Sequence, residues 1–208
     1  MSKTDALNKL HQQRGFKYYS FGNFYPIEKK KVYKKGSTYQ FVVRALDEAF
    51  VDVLKEALRT NIDNPNFLVL ETYKKTEKQF FISELYSATP VIVSIENNLF
   101  WTMEKDGDIM KLQKQLHDNL EKKYQSFYGE SIKAEQSFIQ LLEIKNKKPQ
   151  NILITKNSKS IRLFGNKFKI VPNEDEVSQK LAFVALGAGL GEKNSFGGGF
   201  CLAKGMRA

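Results

Sequence analysis

At 208 residues, with 41% hydrophobic and 12% aromatic content, the chain suits one domain or two small ones and excludes wholesale disorder. Lysine and arginine number 33 against 23 acids, and the formal net charge of +10 favours a polyanionic partner: nucleic acid first, an anionic membrane surface second. A single cysteine, Cys201, excludes an internal disulfide, and with only His11 and His117 beside it the composition argues against a protein-built metal site or any cofactor.

The elements are expected in the following order. Residues 4–13 read as a short helix closing at Gly15, and Phe16 to Phe24 and Thr38 to Arg44 as strands joined by a basic connector through Lys29, Lys30, Lys31, Lys34 and Lys35. Asp47 to Thr60 repeats apolar residues at helical spacing, through Phe50, Val51, Val53, Leu54, Ala57 and Leu58. Phe67 to Tyr73 and Gln79 to Tyr86 read as strands that finish a first unit, residues 1–88. A second unit, 89–208, opens on the strand-rich stretch Val91 to Met103. A helix follows whose stripe is Ile109, Leu112, Leu116, Leu120, Tyr124 and Phe127, ending at Gly129. Phe138 to Ile144 and Ile152 to Thr155 are extended, and Ser160 to Phe164 with Lys167 to Val171 form a hairpin turning at Gly165-Asn166. Val177 to Leu186 is the last helix, and Phe200 to Ala203 the last strand. The second unit therefore has the order of a ferredoxin-like βαββαβ module. The first shows that order without its opening strand, so the fold class is α+β with tandem ferredoxin-like (RRM-like) modules.

Between the last helix and the last strand stands a glycine cluster: Gly187, Gly189, Gly191, Gly197, Gly198 and Gly199, six of the chain's thirteen glycines. Glycine permits positive φ and close approach of backbone to a ligand. With Lys193, Asn194 and Ser195 at its centre, the loop offers amides, a cation and small donors suited to phosphate. A flexible turn with spare glycines explains the composition equally well. A Walker A loop is excluded because Asn194 follows Lys193. A kinase glycine loop is excluded because too little chain remains for the catalytic residues, and a dinucleotide fingerprint belongs in a first βα unit.

The run from Gly189 to Phe200 resembles the carboxy-terminal motif of the CRISPR-associated repeat-processing endoribonucleases (Cas6, in the RAMP superfamily). That motif has the form Gly-x-Gly-x-x-x-x-x-Gly-x-Gly between a helix and a short final strand. Leu10-His11 and Phe16-Lys17-Tyr18-Tyr19-Ser20-Phe21 are similar to the stretch around that family's catalytic histidine, with Gly22 where a serine is common. The resemblance implies tandem ferredoxin-like modules and metal-independent cleavage of CRISPR precursor RNA. In that reaction the 2′-OH attacks the adjacent phosphorus to give a 2′,3′-cyclic phosphate and a 5′-OH, with His11 catalytic and Lys17 beside it. RNA contacts are expected from Gly189, Gly191, Lys193, Asn194, Ser195, Gly197 and Gly199. The hairpin residues Arg162 and Lys167 are expected to join them, since a second-module hairpin meets the base of the repeat stem in the family. The partners implied are CRISPR repeat RNA and a multisubunit CRISPR effector complex. The expected compartment is the cytoplasm, with no membrane partner.

Other chemistry-bearing residues have plainer readings. His117, off the apolar stripe beside Asp118, reads as a solvated surface histidine, and Cys201 as a small core residue. Along the supposed hairpin Arg162, Phe164, Lys167, Phe168 and Lys169 interleave cations with rings, as RNA binding requires and as packing of one hairpin face also explains. Three classes stay open on these residues: a ribonuclease, a catalytically inactive RNA-binding subunit on the same scaffold, and a non-enzymatic anion or membrane-surface binder.

Overall fold

The structure is a computed structural model and describes residues 15–30, 32–60, 66–96, 99–156 and 158–206. His11 and the expected helix over 4–13 lie outside the described residues. It is a mixed α/β fold in which every strand pairing is antiparallel.

The larger part is built on a four-stranded sheet of β3 (Phe81–Ser87), β4 (Ile139–Ile144), β7 (Phe168–Pro172) and β8 (Cys201–Met206), in the order β4-β7-β3-β8. Two helices complete it, α2 (Ile109–Tyr128) between β3 and β4 and α3 (Glu176–Ala188) between β7 and β8. This is the ferredoxin-like arrangement, with the first and third strands central. Both helices begin where the chain supplies a cap. The Asp108 side chain accepts from the Lys111 amide at 2.9 Å, and that of Asp175 from the Ser178 amide at 2.9 Å. α2 ends at Gly129, φ 76°, whose amide donates back to the Gln125 carbonyl. Its stripe of Leu112, Leu116, Leu120 and Tyr124 is buried, and α3 is apolar around most of its surface because it lies within the core. Trp101, Phe138 and Phe168 are the largest wholly buried side chains of a core that runs from Phe80 to Cys201.

The N-terminal part is thinner. Strands β1 (Tyr19–Phe21) and β2 (Val43–Ala45) pair with each other, and α1 (Glu48–Thr60) follows. The Tyr19 ring stacks on Phe50 with centroids 4.7 Å apart. From this part Leu46, partly buried, packs against the main core.

Four features differ from the sequence-based expectation. Phe81–Ser87, read with the first unit, is instead a central strand of the second sheet, so a division between 88 and 89 separates that strand from its partners. Residues 66–80 hold no strand: Leu68, Leu70 and Tyr73 are exposed, and Lys74 pins the segment to α1 through Glu48 at 2.7 Å and Asp52 at 2.6 Å. The described residues of the stretch Val91 to Met103 make only isolated bridges, Val91 to Asn166, Ile92 to Glu192 and Ser94 to Phe100. Finally, β6 (Lys159–Gly165) pairs with β5 (Gln150–Lys156) along its whole length and not with β7. Gly165-Asn166 is a crossing between sheets. A Cβ at Gly165 would collide with the Val91 carbonyl, and the buried Asn166 amide group accepts from the Met103 amide and donates to the Asn146 carbonyl. Those bonds tie the chain to neighbours a hairpin turn would not have.

Candidate nucleic-acid interface

The glycine-rich loop begins as α3 runs out. Gly189, at φ 86°, ends the helix, and Gly191, Gly197 and Gly199 also take positive φ, as does Lys193 at φ 57°. A short 3-10 turn, Asn194–Phe196, forms the tip, and Gly197 closes it by donating to the Asn194 carbonyl. The flanks are fixed by backbone bonds. The Leu190 amide donates to Gly199 O, Glu192 to Ile92 O and Gly199 to Pro90 O, all at 2.7–2.9 Å. At Gly199 the requirement for glycine is absolute in two ways: φ is 64°, and a Cβ would be driven into the Leu190 carbonyl.

The loop is packed into the core, with Gly189, Gly191, Asn194, Gly197, Gly198 and Gly199 buried. Its interior is polar. Lys123 of α2, only 2% exposed, donates to Gly189 O at 2.7 Å, Gly191 O at 2.7 Å and Asn194 Oδ1 at 2.8 Å. The Asn194 amide nitrogen in turn donates to Leu190 O at 3.1 Å and Gly198 O at 2.9 Å. Burial pushes the Lys123 ammonium down to about 7, against the pull of the Cys201 thiol and the Glu192 carboxylate. Glu192 is itself held by the Ser94 amide at 3.1 Å and the Ser94 hydroxyl at 2.7 Å. What faces solvent at the tip is the exposed Lys193 and Phe196 and the half-buried Ser195. The backbone amides of Lys193, Asn194 and Ser195 have no bond partner among the described residues.

The N-terminal sheet lies directly on this loop. Phe21 abuts Gly197, the Ser20 hydroxyl donates to Gly187 O at 3.3 Å, and Leu46 fills the space over Gly187. The Arg44 guanidinium donates to the Cys201 carbonyl and sits 4.9 Å from the centre of the Phe200 ring. Lys17, half-buried, enters β1 two residues before Tyr19, beside Tyr18 at φ 51°, whose hydroxyl meets Ser126 Oγ of α2 at 2.6 Å. The structure thus brings the segment carrying Lys17 and the end of the glycine loop to one junction between the two parts of the chain.

The expected basic patch is divided. Arg162 is exposed on β6 of the two-stranded hairpin. Lys167 is half-buried at the start of β7, its amide bonded to Asn146 Oδ1. Lys169 is neutralised by Glu84 at 2.6 Å, a carboxylate that Lys169 and Lys204 together hold down at about 2. The rings do not form an open platform: Phe168 is in the core against Trp101, and Phe164 is covered by the Lys105 ammonium at 5.7 Å. His117 is not a solvated histidine. Its Nδ1 accepts from the Phe138 amide at 3.1 Å, its Nε2 meets Glu121 at 3.1 Å, and its ring stacks on Phe138. Cys201 is buried, with its thiol pushed up to about 12 by burial. Sequence reasoning missed Lys123. Its signal was a lysine between Leu120 and Tyr124, three residues after the first and four before Phe127 on the apolar stripe, where a solvated cation does not belong.

Among the described residues no helix is long and apolar enough to cross a membrane. The sequence model of the family described as CRISPR associated protein Cas6, C-terminal, matches residues 70–202. A relative, the CRISPR-associated endoribonuclease Cas6 2 of Methanocaldococcus jannaschii, is 24% identical over 213 residues, covering 95% of this chain and 85% of its own. A solved CRISPR associated protein Cas6 superposes with a TM-score of 0.62 at 22% identity, over 95% of this chain and 82% of that one. A solved RAMP protein binding different RNA substrates superposes with a TM-score of 0.63 at 16% identity, over 97% and 87%. These likenesses extend the ferredoxin-like arrangement to the tandem fold of the Cas6 and RAMP proteins. The matched residues run from just before β3 through the glycine-rich loop into β8, so the shared model spans the sheet, both of its helices and the loop they hold: the chain belongs to the Cas6 family.

Proposed function

We propose that the chain is a metal-independent endoribonuclease that binds the repeat of CRISPR precursor RNA and cuts within it. The observation that carries this reading is the glycine-rich loop: a motif packed as one unit, with Lys193 and unbonded amides at its tip, set against the strand β1 that follows Lys17. Membership of a family with a relative named as an endoribonuclease, and likeness in fold to an RNA-binding RAMP protein, support it.

RNA supplies its own nucleophile. Deprotonated, the 2′-OH attacks the adjacent phosphorus, the bond to the 5′ oxygen breaks, and the leaving oxygen takes up a proton. The products are a 2′,3′-cyclic phosphate and a 5′-OH. The protein has to move two protons and stabilise a phosphorane with extra negative charge. His11 is assigned the proton transfer, as the side chain whose ordinary pKa lies near neutrality. Lys17 is assigned to the phosphorane charge. The loop, through the amides and side chains of Lys193 to Ser195, holds a neighbouring phosphate, and Arg162 and Lys167 hold the RNA on either side of the crossing at Gly165.

The test is incubation with a CRISPR repeat RNA in EDTA, followed by end-group analysis. Cleavage at one site with cyclic phosphate and 5′-OH ends is expected. Binding without cleavage would assign the chain to the inactive RNA-binding class, and absence of both would overturn the reading. His11→Ala should slow single-turnover cleavage by roughly two to four orders of magnitude with repeat affinity nearly unchanged. Equal loss of both would make His11 a structural or contact residue.

A further inference from the structure

Lys123 is the one lysine the described structure places wholly inside the core, and all three of its N–H bonds are spent on the glycine-rich loop. No carboxylate bonds to it among the described residues. A buried ammonium costs several kcal/mol of lost hydration, so an apolar side chain like its neighbours Leu116 and Leu120 would stabilise this stretch of helix more. What the lysine contributes that leucine could not is convergence. It draws two carbonyls and Asn194 Oδ1 to one point, and Asn194 passes the constraint on to Leu190 and Gly198. Two side chains thereby hold five acceptors, on Gly189, Leu190, Gly191, Asn194 and Gly198.

We infer that Lys123 is a positioning residue of the RNA site: as an ammonium it sets the loop in the shape that meets RNA, so repeat binding is coupled to its protonation. The inference rests on the ribonuclease reading above. A neutral amine has two donors and a lone pair, so on deprotonation one of the three acceptors loses its donor and faces that lone pair. Burial lowers this lysine to about 7, where that change falls within the working range. Glu192 of the loop and Cys201 of β8 act on it. Arg44 of β2 reaches Cys201, and on α2 itself Asp118 and Lys122 stand with Gly191 and Glu192 at a cleft of about 180 Å³. An ordinary lysine titrates near ~10.4, so between about 7 and that value the unfolded chain binds more protons and this group makes the fold more stable as pH rises. RNA affinity should move the other way. Opposite slopes separate positioning from a merely structural role.

The experiment compares repeat RNA affinity of His11→Ala protein, in which cleavage is silenced, with that of the His11→Ala/Lys123→Met protein between pH 6 and 9, alongside urea midpoints. The first protein is expected to lose affinity as pH rises, by up to about tenfold per unit, the limit for one coupled proton. The second should bind at least ~10-fold more weakly at pH 6.5, matching one lost charge-assisted contact, with a flatter profile. His117 is present in both and cancels. A folded double variant that binds as tightly as its parent overturns the inference. If the double variant does not fold, the parent decides alone: affinity that stays flat or rises with pH overturns it. Wild-type protein that neither binds nor cuts repeat RNA sinks the ribonuclease reading and the inference with it. Wild-type cleavage with a flat affinity profile sinks the inference alone.

Discussion

The glycine-rich loop and the β5–β6 hairpin are both expected to meet RNA, yet the structure builds them in opposite ways. In the loop, backbone carbonyls turn inward to Lys123 and Asn194, and its flanks bond to residues 90 and 92, so polar groups are consumed in making one shape. In the hairpin every inter-strand bond lies between its own two strands, and Arg162, Leu153 and Ile161 stay exposed. A rigid loop can present a few donors to one phosphate, whereas an exposed ribbon offers charge along a length of RNA. Damage to the first should therefore cost stability and affinity together, and damage to the second affinity alone.

Gly199→Val should show the largest effect. Forcing a β-branched residue to φ 64° against the Leu190 carbonyl combines backbone strain with overpacking, about 2–5 kcal/mol together, and should appear as a large fall in the urea midpoint. A normally stable Gly199→Val protein would mean that the loop is not packed as described. Removing the hairpin cation comes next. Arg162→Ala should leave the midpoint within ~0.5 kcal/mol of wild type, weaken repeat binding, and reduce the salt slope by about one counterion. Lys167→Ala is to be made separately, because its residue is anchored at β7 and some loss of stability is expected with the loss of affinity. An unchanged salt slope in both would move the RNA path to the exposed lysines Lys29, Lys30, Lys34 and Lys35. The smallest effect belongs to Lys193→Ala, which removes one exposed cation from an intact loop: stability unchanged, affinity down by a few-fold. A Lys193→Ala protein that unfolds would erase the distinction between tip and flanks.

How far the sequence could be read depended on whether the information was local. Helix α2 was legible because its apolar stripe and the stop at Gly129 lie within one segment, and α3 because Val177 to Leu186 is one nearly continuous apolar run. The glycine motif was legible by its spacing. Strand partners were not, because a pairing depends on distant residues. Gly165-Asn166 carries a turn signature, but Val91, Met103 and Asn146 make it a crossing, and Phe67 to Tyr73 has strand composition without a strand to pair with among the described residues. The inward wiring of the loop was equally hidden, since Lys123 lies 66 residues before the Gly189 carbonyl it holds. His117 misled for the same reason: Asp118 and Glu121 nearby in sequence are charged, while its partner Phe138 comes 21 residues later.

The central claim is that a prebuilt loop meets RNA with its tip, and amide hydrogen exchange with and without repeat RNA tests it most directly. The amides of Leu190, Glu192, Gly198 and Gly199, already bonded within the protein, should be protected in both states. Those of Lys193, Asn194 and Ser195 should exchange quickly in the free protein and become protected when RNA is added. Protection confined to the β5–β6 hairpin, with the loop tip unchanged at saturating RNA, would contradict the account.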